Sequence, residues 1–230
     1  MKSKSFFTAR NVAFLSILLA LVIVLQVFGG YIRIGATPLS FVLVPIVLGA
    51  VMIGPLAGLF LGFAFGFIVL LYGVTGADGF TFILFSDHPI LTSVLCLGKG
   101  MAAGLVPGLL FRALRGKNRY VGVLLASLSA PVVNTGLFIV GALFMSGTLE
   151  ANFVAEGTTV LYFLIIGCAG VNFLVELGIN LVASPAIYRV SELVKRTSSR
   201  SARPASAAAK PVPESLDSNP PEKEPHDISH

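Results

Sequence analysis

Charged residues in this chain gather in short clusters, and the intervals between them are long and apolar. The longest interval, Ile34 to Ala77, is forty-four residues without one Asp, Glu, Lys, Arg or His. As a single helix it would measure about 60 Å, twice a bilayer core. Gly54-Pro55 interrupts it. Proline has no N–H for the preceding turn, and the residue before it is pushed away from helical angles. The interval therefore predicts two helices joined by a tight turn, a short one over Pro38–Ile53 and a longer one over Pro55–Tyr72.

The remaining apolar runs predict a first helix over Phe7–Phe28, a fourth over Ile90–Leu114 and a fifth over Tyr120–Met145. A sixth begins near Thr158 and ends before Lys195. Between them lie loops at Gly29–Thr37, Gly73–Pro89 and Ser146–Gly157. A cleaved signal peptide is the rival reading of the first run, but the run is long and no small-x-small site follows closely.

Charge placement tests the helix count. With six helices, three basic clusters share the cytoplasmic side: the N-terminal Lys2, Lys4 and Arg10, the turn with Arg112, Arg115, Lys117 and Arg119, and the C-terminal segment. The acidic loops with Asp78, Asp87, Glu150 and Glu156 then face outward. Five helices would put the N-terminus and the basic turn on opposite sides, against the positive-inside rule. Both termini are thus expected in the cytoplasm, and Arg33 is the strongly basic residue left outside.

Composition agrees. The chain is 55% hydrophobic and 12% charged, with mean hydropathy +0.89, and soluble domains carry about twice that charge fraction. Long apolar runs without period-two alternation choose helices over a barrel. The expected class is an all-α integral membrane protein with six transmembrane helices. The net charge of +5 sits beside membrane segments, where it sets topology, and does not argue for nucleic acid. From Ser198 the composition turns to Ser, Ala, Pro and charge, so residues 1–195 are read as the membrane domain and 196–230 as a disordered cytoplasmic tail.

No catalytic constellation stands out. The Gly-Lys pairs at 98–99 and 116–117 have Ser93 and Phe111 where a phosphate loop needs its first glycine. No His or Cys pair has metal spacing, and Cys96 and Cys168 lie inside apolar runs as small buried residues would. The chain is not expected to be an enzyme or to need a cofactor.

Polar residues inside the helices are the candidate chemistry. Lys99 falls about 13 Å from the outer end of the fourth helix. At that depth an ionisable group faces a ligand cavity, or else the helix boundary differs and Lys99 snorkels to the surface. Asn134 on the fifth helix has a similar depth, and Asn172 on the sixth lies nearer the middle. Together they sketch an outward-opening polar pocket, although hydrogen bonds between helices would also account for the asparagines. Glu176 lies about 13 Å below Lys99 by rise per residue, and is expected to meet a cytoplasmic-side group such as Arg10 or Arg112. Three small-residue stripes repeat at helical spacing: Gly58, Gly62 and Gly66; Gly100, Gly104 and Gly108; and Ala9, Ala13, Ser16 and Ala20. The glycine stripes suit packing within the chain. The alanine stripe suits packing or docking of another membrane subunit.

With these elements in place the chain resembles the substrate-binding S components of energy-coupling factor (ECF) vitamin transporters. The resemblance rests on PLSFVLVPIVLGAVMIGPLAGLFLG at 38–62, LGKGMAAGLVPGLLFR at 97–112, Asn134-Thr135, and NFLVELGIN at 172–180, and covers about residues 7–195. It implies a six-helix S-component bundle in a bacterial cell membrane. It also implies a vitamin captured from outside, a transmembrane T subunit docking on Ala9, Ala13, Ser16 and Ala20, and two ATPase subunits driving release inside. Arg33 and Lys99 would meet an anionic group, which favours pantothenate, folate, niacin or biotin over cationic thiamine, with pantothenate first and neutral riboflavin as a further alternative. The rival from another class is a stand-alone proton- or ion-coupled secondary transporter, for which Glu176 is the one deep acid.

Overall fold

A computed structural model describes residues 8–29, 33–34, 37–38 and 41–201, with only the backbone described at 33–34, 37–38 and 195–201. Residues 1–194 form one compact unit and 195–230 a second, of which the described part is helical backbone to Ser201. The tail beyond it, expected to be disordered, lies outside the described residues.

The described chain is almost entirely helical. Helix α1 (Ala9–Gly29) leads to a two-residue antiparallel pair, β1 (Arg33–Ile34) and β2 (Thr37–Pro38), with Arg33 opposite Pro38. Then come α2 (Leu43–Met52), α3 (Pro55–Thr75), α4 (Gly79–Asp87), α5 (Pro89–Leu114), α6 (Arg119–Leu143) and α7 (Ser146–Asn152). The last rod runs through α8 (Val160–Tyr162), a π-helical stretch (Phe163–Gly170) and α9 (Val171–Ser201). Five helical segments are long and apolar enough to cross a membrane: α1, α3, α5, α6 and Val160–Val194. Their outward faces carry large apolar side chains such as Ile17, Phe28, Leu56, Phe60, Val94, Leu174 and Val182, as lipid contact demands.

The break at 54–55 is present. Gly54 has φ +139°, which a side chain would strain, and Pro55 starts α3 where no N–H is needed. Helix α2 differs from the sequence expectation. It begins at Leu43, because Pro38 belongs to β2, and its ten residues extend only about 15 Å. Two stretches read as loops contain helices, α4 within 73–89 and α7 within 146–157. Asp78 starts α4 by accepting the Thr81 N–H at 3.2 Å and the Thr81 hydroxyl at 2.5 Å. Thr92 Oγ1 donates to the Leu84 carbonyl at 2.9 Å and ties α4 to α5.

Glycine sets the closest packing. A Cβ on Gly58 would strike the Gly104 carbonyl, and one on Gly104 the Gly58 carbonyl; Gly62 and Gly100 are related the same way. Two backbones in contact are possible only where neither residue has a side chain. Around this seam two cores form. One joins Val42, Leu43, Ile46 and Val47 at the start of α2 to Val22, Phe65, Ala103 and Ala130. The other joins Phe80 and Leu84 of α4 to Met145, Leu149, Leu164 and Cys168.

Candidate functional site

Between the two cores lies a cavity of about 90 Å³, room for several waters at roughly 10–15 Å³ each. Every long helix contributes to its wall: Gln26 from α1; Phe65, Val69 and Tyr72 from α3; Lys99 from α5; Asn134, Thr135 and Phe138 from α6; and Asn172 and Glu176 from α9. Asp78, Phe80 and Thr81 close it from α4, and the π-helical stretch adds Cys168 and Ala169. Wide π turns inside helices occur frequently at functional sites.

Three of the four residues expected to bind a ligand, Lys99, Asn134 and Asn172, line this one cavity. The fourth, Arg33, lies in β1, and its side chain is outside the described residues. Lys99 is half-buried, with Nζ 5.1 Å from the centre of the Phe138 ring. A cation held over an aromatic face is partly compensated for lost water. Asn134 is 7% exposed, and its Oδ1 has no hydrogen-bond partner among the described residues. A buried amide oxygen left unmatched costs free energy. Asn172 is also buried on this wall.

Glu176 does not lie beside Arg10 or Arg112 near the cytoplasmic end, as its depth along the helix predicts. It is 4% exposed and lines the cavity with Lys99 and Asp78. Counting rise along one helix gives position on that helix's own axis; it does not capture the π-helical stretch or a cavity that extends along α9. Asn172 and Glu176 are one turn apart, so they share a face. That face continues as a buried polar stripe through Asn180, Ser184 and Ser191. Asn180 Nδ2 donates to the Glu176 carbonyl at 2.9 Å. Arg10 instead reaches the far end of α9, donating to the Val194 carbonyl at 2.9 Å.

Gln26 and Asp78 were not singled out in the sequence. Gln26 carried a signal, as the lone polar side chain in the second half of an apolar run; Asp78 is a residue type that favours helix starts but has no Glu or Gln three residues on to mark one.

At the opposite end of the bundle Arg119 joins α6 to α9. Its Nε lies 2.8 Å from Glu192 Oε1, an ion pair whose N–H is not aligned as a hydrogen bond. Its NH2 donates to the Ser191 carbonyl and hydroxyl at 3.3 Å each. The expected docking residues Ala9, Ala13, Ser16 and Ala20 are all exposed on α1. At 3.6 residues per turn they lie roughly 150° from the buried face of Leu18, Val22 and Gln26.

Among the described residues no cluster of three His, Cys, Asp or Glu has metal-binding form. A family model described as "ECF transporter, substrate-specific component" matches residues 10–188. No curated protein matched the chain in sequence. The apolar bundle, its polar cavity and this match over most of the chain lead to one assignment: the protein is a multi-pass membrane protein belonging to the ECF transporter substrate-specific component family.

Proposed function

We propose that the cavity is the ligand pocket of this S component, that it takes up a vitamin or related micronutrient from the outer side of a bacterial cell membrane, and that a T subunit and two ATPase subunits drive release inside. The observation that carries the reading is the meeting of Lys99, Asn134 and Asn172, from three helices, on the wall of one cavity. Lys99 is the cationic side chain among the described lining residues, so an anionic ligand group belongs there, and Arg33 is its expected second contact. Pantothenate is the first candidate. Outward opening follows from the basic clusters, which assign the Arg119 end of the bundle to the cytoplasm. The exposed stripe of Ala9, Ala13, Ser16 and Ala20 is the T-subunit docking face. Small side chains there allow a partner helix to approach closely.

The test is mass spectrometry of small molecules released from the purified protein, before and after incubation with B vitamins and biotin. A vitamin at near-stoichiometric amount supports the reading, and an empty pocket after the whole panel counts against it.

A second reading has one observation in its favour. The buried stripe of Glu176, Asn180, Ser184 and Ser191 runs from the cavity toward the Arg119 end, as a proton or ion path in a stand-alone secondary transporter would. Uptake into vesicles by this chain alone, without coupling subunits or ATP, would select that reading.

A further inference from the structure

Resting on the reading of the cavity as the ligand pocket, we infer that it selects its ligand by hydrogen-bond donors: a molecule with an N–H or O–H face toward Glu176, Asp78 and Asn134, and an anionic or acceptor group toward Lys99. Asp78 and Glu176 make the pocket acceptor-rich. Each carboxyl group brings two acceptor oxygens, and both residues are nearly fully buried, at 5% and 4% exposure. Asn134 adds an independent sign. Its Oδ1 is an acceptor on the same wall, more than nine-tenths buried and without a hydrogen-bond partner among the described residues.

A ligand that was only an anion would satisfy Lys99 and turn acceptors toward two buried carboxyl groups whose own oxygens call for donors. A ligand that was only a cation would satisfy the carboxylates and face Lys99. The arrangement suits a molecule with both characters at opposite ends. Phe65, Tyr72, Phe80 and Phe138 on the walls suit a flat or apolar midsection. Asp78 and Glu176 are therefore specificity-determining residues, beyond the cation that the sequence singled out.

The experiment is calorimetric titration of the full chain in detergent with four probes. Pantothenate, biotin and folate each join a carboxylate to N–H or O–H donors, and nicotinate has a carboxylate on a ring without donors. One donor-bearing probe is expected to bind, with nicotinate at least a hundredfold weaker. Glu176→Gln should weaken that probe about tenfold or more, the scale of one charge-assisted hydrogen bond. Asp78→Asn keeps the helix cap and should weaken it likewise. Tightest binding by nicotinate overturns the inference. So does an affinity unchanged within twofold in both carboxylate variants while Lys99→Met still weakens binding; in that case the pocket stands and donor selection is wrong. If none of the four probes binds, the inference is overturned while the pocket reading is still decided by the full vitamin panel; if Lys99→Met has no effect on a bound probe, the pocket reading itself fails and the inference falls with it.

Discussion

Gly58 of α3 and Gly104 of α5 meet backbone to backbone, each occupying the space that the other's missing side chain would need. Gly62 and Gly100 repeat the contact one turn along. This seam holds α5, and therefore Lys99, at a fixed height against α3.

Substitution at the seam should be costly. Gly104→Leu forces the two backbones apart and is expected to destabilise by about 1–3 kcal/mol or more, the range for overpacking. Gly136→Ala is the control: a Cβ there meets nothing within 4 Å, and alanine is the better helix former. Thermal unfolding in detergent should show a clear fall in Tm for the first and no fall for the second. Equal effects would mean that the seam does not limit the packing.

Asn134 offers a sharper test of purpose. Its Oδ1 meets no donor among the described residues, so removing it breaks no helix–helix hydrogen bond through that atom. Asn134→Leu should leave the Tm of the ligand-free chain no lower than that of the parent, and should lower ligand affinity at least tenfold. A residue kept for helix–helix bonding would behave oppositely, with Tm falling and affinity unchanged.

Arg119 should matter more than its ion-pair partner. Glu192 and Arg119 are each about one quarter exposed, at 27% and 25%, so solvent screening limits the pair to about 0–1 kcal/mol. Arg119→Ala also removes hydrogen bonds to Ser191 and the contact with the Phe111 ring, 5.8 Å from the guanidinium carbon. It is expected to cost about 1–2 kcal/mol. A double-mutant cycle on Tm with Glu192→Gln measures the split; equal losses in the two single variants would assign the whole effect to the ion pair.

The α1 stripe separates binding from transport. Ala13→Trp adds bulk to an exposed face opposite the cavity. Ligand affinity should stay within twofold, and uptake in cells that supply the coupling subunits should fall at least tenfold. Normal uptake would remove the docking role from this face.

Much of the fold was legible in the sequence because its breaks are covalent. Pro55 cannot continue α2, so the split was fixed there, and Pro89 begins α5 one residue before the expected Ile90. The glycine stripes were legible because spacing by four implies one face. Helix α4 was not: nine residues are too few for a periodic signal, and its cap, Asp78, reads equally well as a loop acid. Lys99 and Asn134 were legible because Lys99 is the charged residue deep in its apolar run and Asn134 the carboxamide in its own, at similar depth. Glu176 was misplaced because its position depends on how α9 lies against the others, which no single-helix count contains.

The shortness of α2 has a consequence for what the protein can hold. Its first turn packs against Val22, Phe65, Ala103 and Ala130. Gln26, Val69, Lys99 and Asn134 stand one helical turn farther along those same four helices, and they line the cavity. Helix α2 thus stops short of the cavity, and the pocket occupies headroom that a full-length span would have filled. Inserting four residues ahead of Leu43 would extend α2 toward the cavity by about 6 Å and should shorten the longest ligand that calorimetry detects.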